Sequence, residues 1–366
     1  MTQRTSTECG NSPSEDEAPG VVEELVRQAE RAGASDVHLQ LNGDTGEVAF
    51  RLDGVMTPVR SLPAAIAPLV FGRIKYLARL KTYEQSLPQD GRIDRAGLGA
   101  RNDVRVATYP TVTGEKIVLR LFTSSGARSL DELALPADAR APLEQFLRQR
   151  TGLLLLTGPA GSGKTTTIYA CLRHLAGHGG RHIITVEDPV EQIVPGLMQT
   201  EVNEPRGLTF AKAARHLLRQ DPEVLVIGEI RDDETAGIAL RAAQTGHLVV
   251  STLHAGSCQG VIERLLALAR DPDSLASAIE LVLNQRLLRR LCTSCRGAGC
   301  EACLRTGYQG RTPVVEWFQA GDDLRRQLRA HEPPVCRPQR TLEQSARELI
   351  ATCVTNEAEY RRIFGV

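Results

Sequence analysis

The chain has 366 residues, 42% hydrophobic and 24% charged, with 44 Lys+Arg balancing 44 Asp+Glu. Zero net charge argues against a surface built for bulk nucleic-acid binding, where a basic excess neutralises phosphates, and leaves only a local basic patch open. The longest apolar runs, LLLL near residue 155 and VLVIG near residue 226, fall far short of the ~18 residues that a membrane span requires.

In chain order, MTQRTSTECGNSPSEDEAPG is polar and acidic and lacks the apolar core of a secretory signal. Its composition predicts a disordered tail over residues 1–20. A chain without such signals is expected in the cytosol, where nine cysteines point to metal or catalysis rather than to a disulfide framework. VVEELVRQAERAG has helical spacing and stops at Gly33. SDVHLQL and GEVAFRLDGVMTPV alternate as strands around a turn at Asn42-Gly43-Asp44. LPAAIAPLVFGRIKYLARL reads as a second helix, and GRIDRAG, ARNDVRVATYP and KIVLRLF as further strands. Together they predict a small α+β domain over residues 21–124, followed by a linker over 125–136.

From residue 137 to 366 the pattern changes. After a helix (ADARAPLEQFLRQR), the runs GLLLLTG, IITVED, EVLVIGE and HLVVSTLH are apolar throughout. Such runs suit parallel strands buried on both faces. Helical stretches separate them, so the fold class is α/β, a doubly wound sheet. No internal repeat is evident.

GPAGSGKTTT satisfies G-x-x-x-x-G-K-[ST] between a strand and a helix, the context that gives the motif its meaning. Gly158, Pro159, Ala160, Gly161, Ser162, Gly163, Lys164, Thr165 and Thr166 would cradle phosphate with backbone N–H groups at a helix N-terminus. Lys164 would reach the β/γ-phosphates of ATP, and the Thr165 hydroxyl would bind Mg²⁺. Such a sheet also needs acidic strand ends. EVLVIGEIRDDE offers Glu229, with Gly228 standing where an Asp is usual; IITVEDPVE offers Glu187 and Asp188. Thr252 and His254 end a third strand, and His254 reads either as a γ-phosphate sensor or as a structural histidine.

LCTSCRGAGCEAC carries Cys292, Cys295, Cys300 and Cys303 as two CxxC pairs only four residues apart. Paired CxxC knuckles are the signature of tetrahedral thiolate zinc, closed and structural when no other ligand is in view. An iron–sulfur cluster, or thiols without metal, remain the alternatives. Cys171 and Cys258 read as small buried hydrophobes.

Beyond the phosphate loop, the chain resembles the secretion-superfamily traffic ATPases, the motors of type II secretion and type IV pilus assembly. ITVEDPVE is similar to their Asp box, GLTFAKAARHLLRQDPEVLVIGEIRD to their atypical Walker B region, and GHLVVSTLHA to their His box. SDVHL, RLDG, LPQDGR and RVATYPTVTGEK resemble their N-terminal domain; ELVLNQRLLRRLC and GYQGRTPVVE resemble the segments flanking their cysteine motif. The resemblance implies a RecA-like ATPase domain preceded by a PAS-like domain, in a hexameric ring that acts on an inner-membrane platform protein, with no direct nucleic-acid partner. It implies that Glu187 is the general base, that Glu229 assists Mg²⁺ and water, and that His254 couples nucleotide state to conformation. Arg105 and Arg120 would be arginines that reach the nucleotide from the first domain. Two departures stand out. Secretion-type members often carry a large extra N-terminal domain, and their two CxxC pairs usually lie much further apart. Retraction motors generally lack the cysteines, so the module favours assembly or secretion; a DNA-uptake or retraction motor, or a scaffold that scarcely hydrolyses ATP, is the alternative.

Overall fold

In a computed structural model, residues 17–121 and 128–365 are described. Residues 1–16 of the tail expected over 1–20, Cys9 among them, and part of the expected linker lie outside the described residues. The chain forms two compact units, Met1–Ser125 with Leu291–Gly310, and Gly126–Arg290 with Arg311–Val366.

In the first unit, α1 (Glu17–Arg31) is followed by β1 (Asp36–Asn42), β2 (Thr45–Leu52) and β3 (Val55–Leu62). Next come α2 (Ala67–Leu77), β4 (Gln89–Ile93), β5 (Val104–Thr111) and β6 (Gly114–Leu121). Helix α1 thus begins within the stretch expected as tail. The strands form one antiparallel sheet, in the order β3-β2-β1-β6-β5-β4. Strict alternation explains it: Val37, Leu39 and Leu41 of β1 face a core that also takes Val22, Leu25, Val26, Phe71 and Ile74 from the two helices. Asp36, His38 and Gln40 point to the other face.

This unit also holds the cysteine module, which the sequence order assigns to the ATPase domain. Leu304 packs against the first core, and the Asp53 carboxylate accepts a hydrogen bond from the Gly310 N–H at 2.8 Å. Those contacts are tertiary, so chain order alone does not reveal them.

The second unit is built on a seven-stranded sheet. It opens with α3 (Ala137–Arg148), β7 (Gly152–Thr157), α4 (Lys164–Gly177), β8 (Ile183–Glu187), β9 (Met198–Glu201), α5 (Phe210–Leu217) and β10 (Val224–Ile227). It continues through α6 (Asp233–Gln244), β11 (Leu248–Thr252), α7 (Cys258–Ala269), α8 (Pro272–Ala278), β12 (Ile279–Leu291) and β13 (Tyr308–Gln319). It ends with α9 (Asp322–Arg329), α10 (Leu342–Ala351) and α11 (Glu357–Phe364). The sheet order is β13-β12-β7-β11-β10-β8-β9, and β12, β7, β11, β10, β8 and β9 run parallel. Every residue of β7 is buried. Leu153 and Leu155 enter one core with α5 to α8, and Leu154 and Leu156 enter the other with α3 and α4. A strand covered on both faces needs no polar side, which is why GLLLLT carries none. Edge strand β9 (MQTE) has no buried residue and left no apolar signal in the sequence.

Candidate functional site

Strand β7 runs into the phosphate loop, and the loop is shaped by glycines at the two positions where nothing else fits. Gly158 has φ 138°, and a Cβ there would stand 2.3 Å from the Gln285 carbonyl oxygen. Gly163 has φ 90°, and its Cβ would stand 2.7 Å from Gln285 Nε2. Helix α4 then starts at Lys164 without a capping side chain, whereas α5, α6 and α7 are capped by Thr209, Asp232 and Ser257. The first amides of α4 are therefore left for an anion. Lys164 Nζ folds back onto the loop and donates to the carbonyls of Gly158 (2.8 Å) and Pro159 (3.1 Å). Burial pushes its pKa below the usual lysine range; the Glu229 charge opposes this and Arg286 adds to it. Thr165, one residue on, is exposed and Thr166 half-buried.

Gln285 clamps this loop, and sequence reasoning missed it. It is buried on β12, its Nε2 donates to the Ser162 carbonyl at 2.9 Å, and its Oε1 accepts from the Thr167 hydroxyl at 2.9 Å. In the sequence it looked like one polar residue in a strand.

Two of the expected acidic and histidine residues come together beside the loop. Glu229 follows β10; its Oε1 lies 3.1 Å from His254 Nε2, and its Oε2 accepts from Arg231 Nε at 3.1 Å. Arg231 also reaches Asp188 at 3.5 Å and lies over the Phe210 ring. Gly228 has a local reason: a Cβ there would stand 3.2 Å from the Val186 carbonyl oxygen and 3.3 Å from Phe210. The Thr252 hydroxyl donates to the Gly228 carbonyl at 2.7 Å, so Thr252 holds the strand end while His254 reaches the Glu229 carboxylate.

Glu187 has different surroundings. It is 8% exposed. Its Oε1 accepts from the Thr185 hydroxyl (2.6 Å) and from Gln199 Nε2 (3.2 Å), and its Oε2 accepts from the Tyr169 hydroxyl. Tyr169, on the phosphate-loop helix, also accepts from the Glu191 and Gln192 amides at 3.1 Å each. Burial and the neighbouring carboxylate push its phenol well above the usual range. Gln199 closes the same loop by bonding to Val194 and Gln192. Glu187 is thus the anchor of the 188–199 loop, while Asp188 and Glu191 are the exposed carboxylates beside it.

Arg105 and Arg120 lie in the first unit as directly opposed partners on β5 and β6. Register extends the pairing: Arg51, Asp36, Arg120, Arg105 and Arg92 occupy one cross-strand row over β2, β1, β6, β5 and β4. Asp36 holds Arg120 at 2.9 Å and Arg51 at 3.5 Å. Burial raises the Asp36 carboxyl, yet the bonds from Arg120 and Ser35 outweigh it and hold it below the usual carboxylate value. Directly opposed like charges destabilise a sheet, and carboxylates within or beside the row pair with Arg51, Arg120 and Arg92.

The cysteine knuckles close on each other. The four sulfurs lie within 4.8 Å of one another. Cys292–Cys300, Cys295–Cys303 and Cys300–Cys303 are 3.9, 3.8 and 3.7 Å apart. Tetrahedral bonds of ~2.3 Å from zinc place sulfurs about 3.8 Å apart. The Gly299 and Gly307 amides donate to Cys295 and Cys303 at 3.2 and 3.3 Å, as supports for thiolate ligands do. The short spacer works because Gly299 and Gly307 pack backbone against backbone. A Cβ would stand 2.8 Å from the Arg305 carbonyl oxygen at the first and 2.6 Å from the Gly297 oxygen at the second. The donor set fits zinc. Cys171, by contrast, is fully buried, and burial pushes its thiol up to about 12.

A doubly wound parallel sheet with this loop, and carboxylate and histidine at its neighbouring strand ends, defines a RecA-like P-loop ATPase. The structure is similar to that of the Legionella pneumophila ATPase DotB (TM-score 0.70, 20% identity, 95% of this chain and 96% of that one), a likeness of fold. It is also similar to the pilus retraction motor PilT with bound ADP (TM-score 0.61, 25% identity, 94% and 93%). The family model for type II/IV secretion system proteins matches residues 14–362, and the chain belongs to that family. Type II secretion system protein HxcR of Pseudomonas aeruginosa is 44% identical over 324 residues, 86% of this chain and 69% of the relative. Type II secretion system ATPase E of Vibrio cholerae is 38% identical over 339 residues, 85% and 67%. Among the described residues no helix is long and apolar enough to cross a membrane.

Proposed function

We infer that this chain is an ATP-hydrolysing motor that drives pseudopilus assembly in type II secretion. The observation that carries the reading is the uncapped start of α4 with Lys164, facing the Glu229–His254 pair of the same sheet. The relatives at 38% and 44% identity are type II secretion proteins, and the retraction motor stands at 25%. The cysteine module agrees with the assembly or secretion branch.

Lys164 and the loop amides would hold the β- and γ-phosphates, and Thr165 with Glu229 would hold Mg²⁺. When bound, that ion neutralises charge on the phosphates. His254, hydrogen-bonded to Glu229, would report whether the γ-phosphate is present. The buried carboxylate of Glu187, which accepts three hydrogen bonds, suits holding the 188–199 loop in place better than taking a proton from water, the role the resemblance implies. Arg105 and Arg120 would supply positive charge to the nucleotide phosphates. Zinc would hold the cysteine module in shape. A homohexameric ring, working at the inner membrane from the cytoplasm on a platform protein, completes the proposal.

The test is Mg²⁺-dependent ATPase activity of the purified chain, with Lys164→Ala and Glu229→Gln each lowering kcat by about 100-fold or more, the scale of removing one charge-stabilising group. Hydrolysis that survives both substitutions would overturn the reading.

A further inference from the structure

Strand β12 lies against the phosphate-loop strand, with Asn284 opposite Thr157. Three successive polar residues there, Asn284, Gln285 and Arg286, tie the loop to the segment after His254. Arg286 Nη1 donates to Asn284 Oδ1 at 2.9 Å and to the Gln285 carbonyl at 3.2 Å, and Nη2 donates to the Gly256 carbonyl at 3.4 Å. Asn284 Nδ2 donates to that same carbonyl at 2.9 Å. Thr157 accepts from the Ala255 amide and donates to the Ala255 carbonyl, both at 2.9 Å. The guanidinium is therefore held firmly in one place, yet among the described residues every group it bonds is neutral.

That place is the phosphate loop. Arg286 Nη1 lies 3.2 Å from the point where a Cβ on Gly158 would stand, and Lys164 Nζ lies 2.8 Å from the Gly158 carbonyl oxygen. Two cations thus flank the first glycine of the loop. Burial depresses the pKa of both, against the opposing charge of Glu316 on Arg286 and of Glu229 on Lys164, and among the described residues neither cation is bonded to a carboxylate. A half-buried guanidinium beside a second cation is costly until an anion arrives. An arginine fork binds a phosphate oxygen pair more specifically than a lysine point charge does.

We propose that Arg286 contacts the γ-phosphate of bound ATP as a second cation beside Lys164, supplied by the same unit that carries the loop. The proposal rests on the ATPase reading and deepens it. Because the guanidinium is fixed by Asn284 and Gly256, its contact with the γ-phosphate would also be felt by the segment that follows His254.

The experiment measures binding of fluorescently labelled ATPγS and ADP to the full chain, with melting temperature, for Arg286→Ala, Arg286→Gln, Arg286→Lys and Lys164→Ala. A lost charged hydrogen bond to phosphate corresponds to about 10- to 100-fold in affinity. Arg286→Ala and Arg286→Gln are expected to weaken ATPγS by that factor and ADP much less, at unchanged melting temperature. Arg286→Lys should recover part of the difference. Equal weakening of both nucleotides, or none, would overturn the proposal, as would Arg286→Gln retaining full ATPγS affinity. A lysine variant as weak as alanine, with a lowered melting temperature, would mark Arg286 as a tether of Gly256 only. Lys164→Ala tests the parent reading separately: if it binds both nucleotides like the unsubstituted chain, the loop itself is not the nucleotide site.

Discussion

Glu187 shows how much a single carboxylate's surroundings decide. Its lone pairs are taken by Thr185, Gln199 and Tyr169, and each donor belongs to a different part of the fold: its own strand β8, the edge strand β9 and the phosphate-loop helix α4. A carboxylate with three converging donors ties those three parts of the fold together. Glu187→Gln places an amide NH₂ where one donor must be met, so the 188–199 loop should loosen. We expect a melting temperature several degrees lower and a raised KM, with the pH profile of kcat unshifted; differential scanning fluorimetry and steady-state kinetics check this. A large fall in kcat at unchanged melting temperature would instead restore the general-base role. The sequence pattern identified Glu187 as the end of a buried strand, which it is. It could not show that Tyr169, 18 residues earlier, would fill its second oxygen, because that contact depends on α4 packing over β8.

At the scale of elements, the legible parts were those whose backbone dictates composition. The loop of β7 and α4 needs glycine at 158 and 163, and the buried parallel strands need unbroken apolar runs. The parts that stayed hidden depend on pairing between distant strands. Gln285 and Arg286 look like ordinary polar residues until β12 is laid beside β7. Arg105 and Arg120 look like separate outward-facing arginines until the register sets them opposite each other. The cysteine module lies between these cases. Its four cysteines were plain in the sequence, and the close approach of their sulfurs depends on backbone contacts at Gly299 and at Gly307 that spacing alone does not reveal. We expect one zinc per chain by elemental analysis. Gly307→Ala should reduce this well below one, because its Cβ would strike the Gly297 carbonyl oxygen. Retention of full zinc with Gly307→Ala would show that the knuckles do not need this close approach.

At the scale of the whole molecule, the two units obey different patterning rules. The first hides one face of an antiparallel sheet and leaves the other polar, so its strands alternate. The second hides both faces of a parallel sheet, so its strands do not. That contrast separated the two folds in the sequence. It could not assign the cysteine module, whose Leu304 belongs to the first core although the chain reaches it from β12 of the second unit.

The arginine row of the first unit has a consequence for how the protein responds to its solvent. Adjacent strands are ~4.8 Å apart, inside the ~10 Å Debye length at 0.1 M salt, so Arg105 repels its neighbours Arg120 and Arg92 with little screening by salt. Asp36 pairs with Arg120, and Asp103 with Arg92, along the same row. Most folded proteins lose their few useful surface ion pairs as ionic strength rises. This one should behave in the opposite sense, with added chloride, and more so pyrophosphate, raising the temperature at which the first unit melts. Arg105→Gln should abolish most of that gain, and a melting profile indifferent to salt in the unsubstituted chain would refute it. Such a protein is at its most fragile when desalted, and purification in low-salt buffer is where it should first be lost.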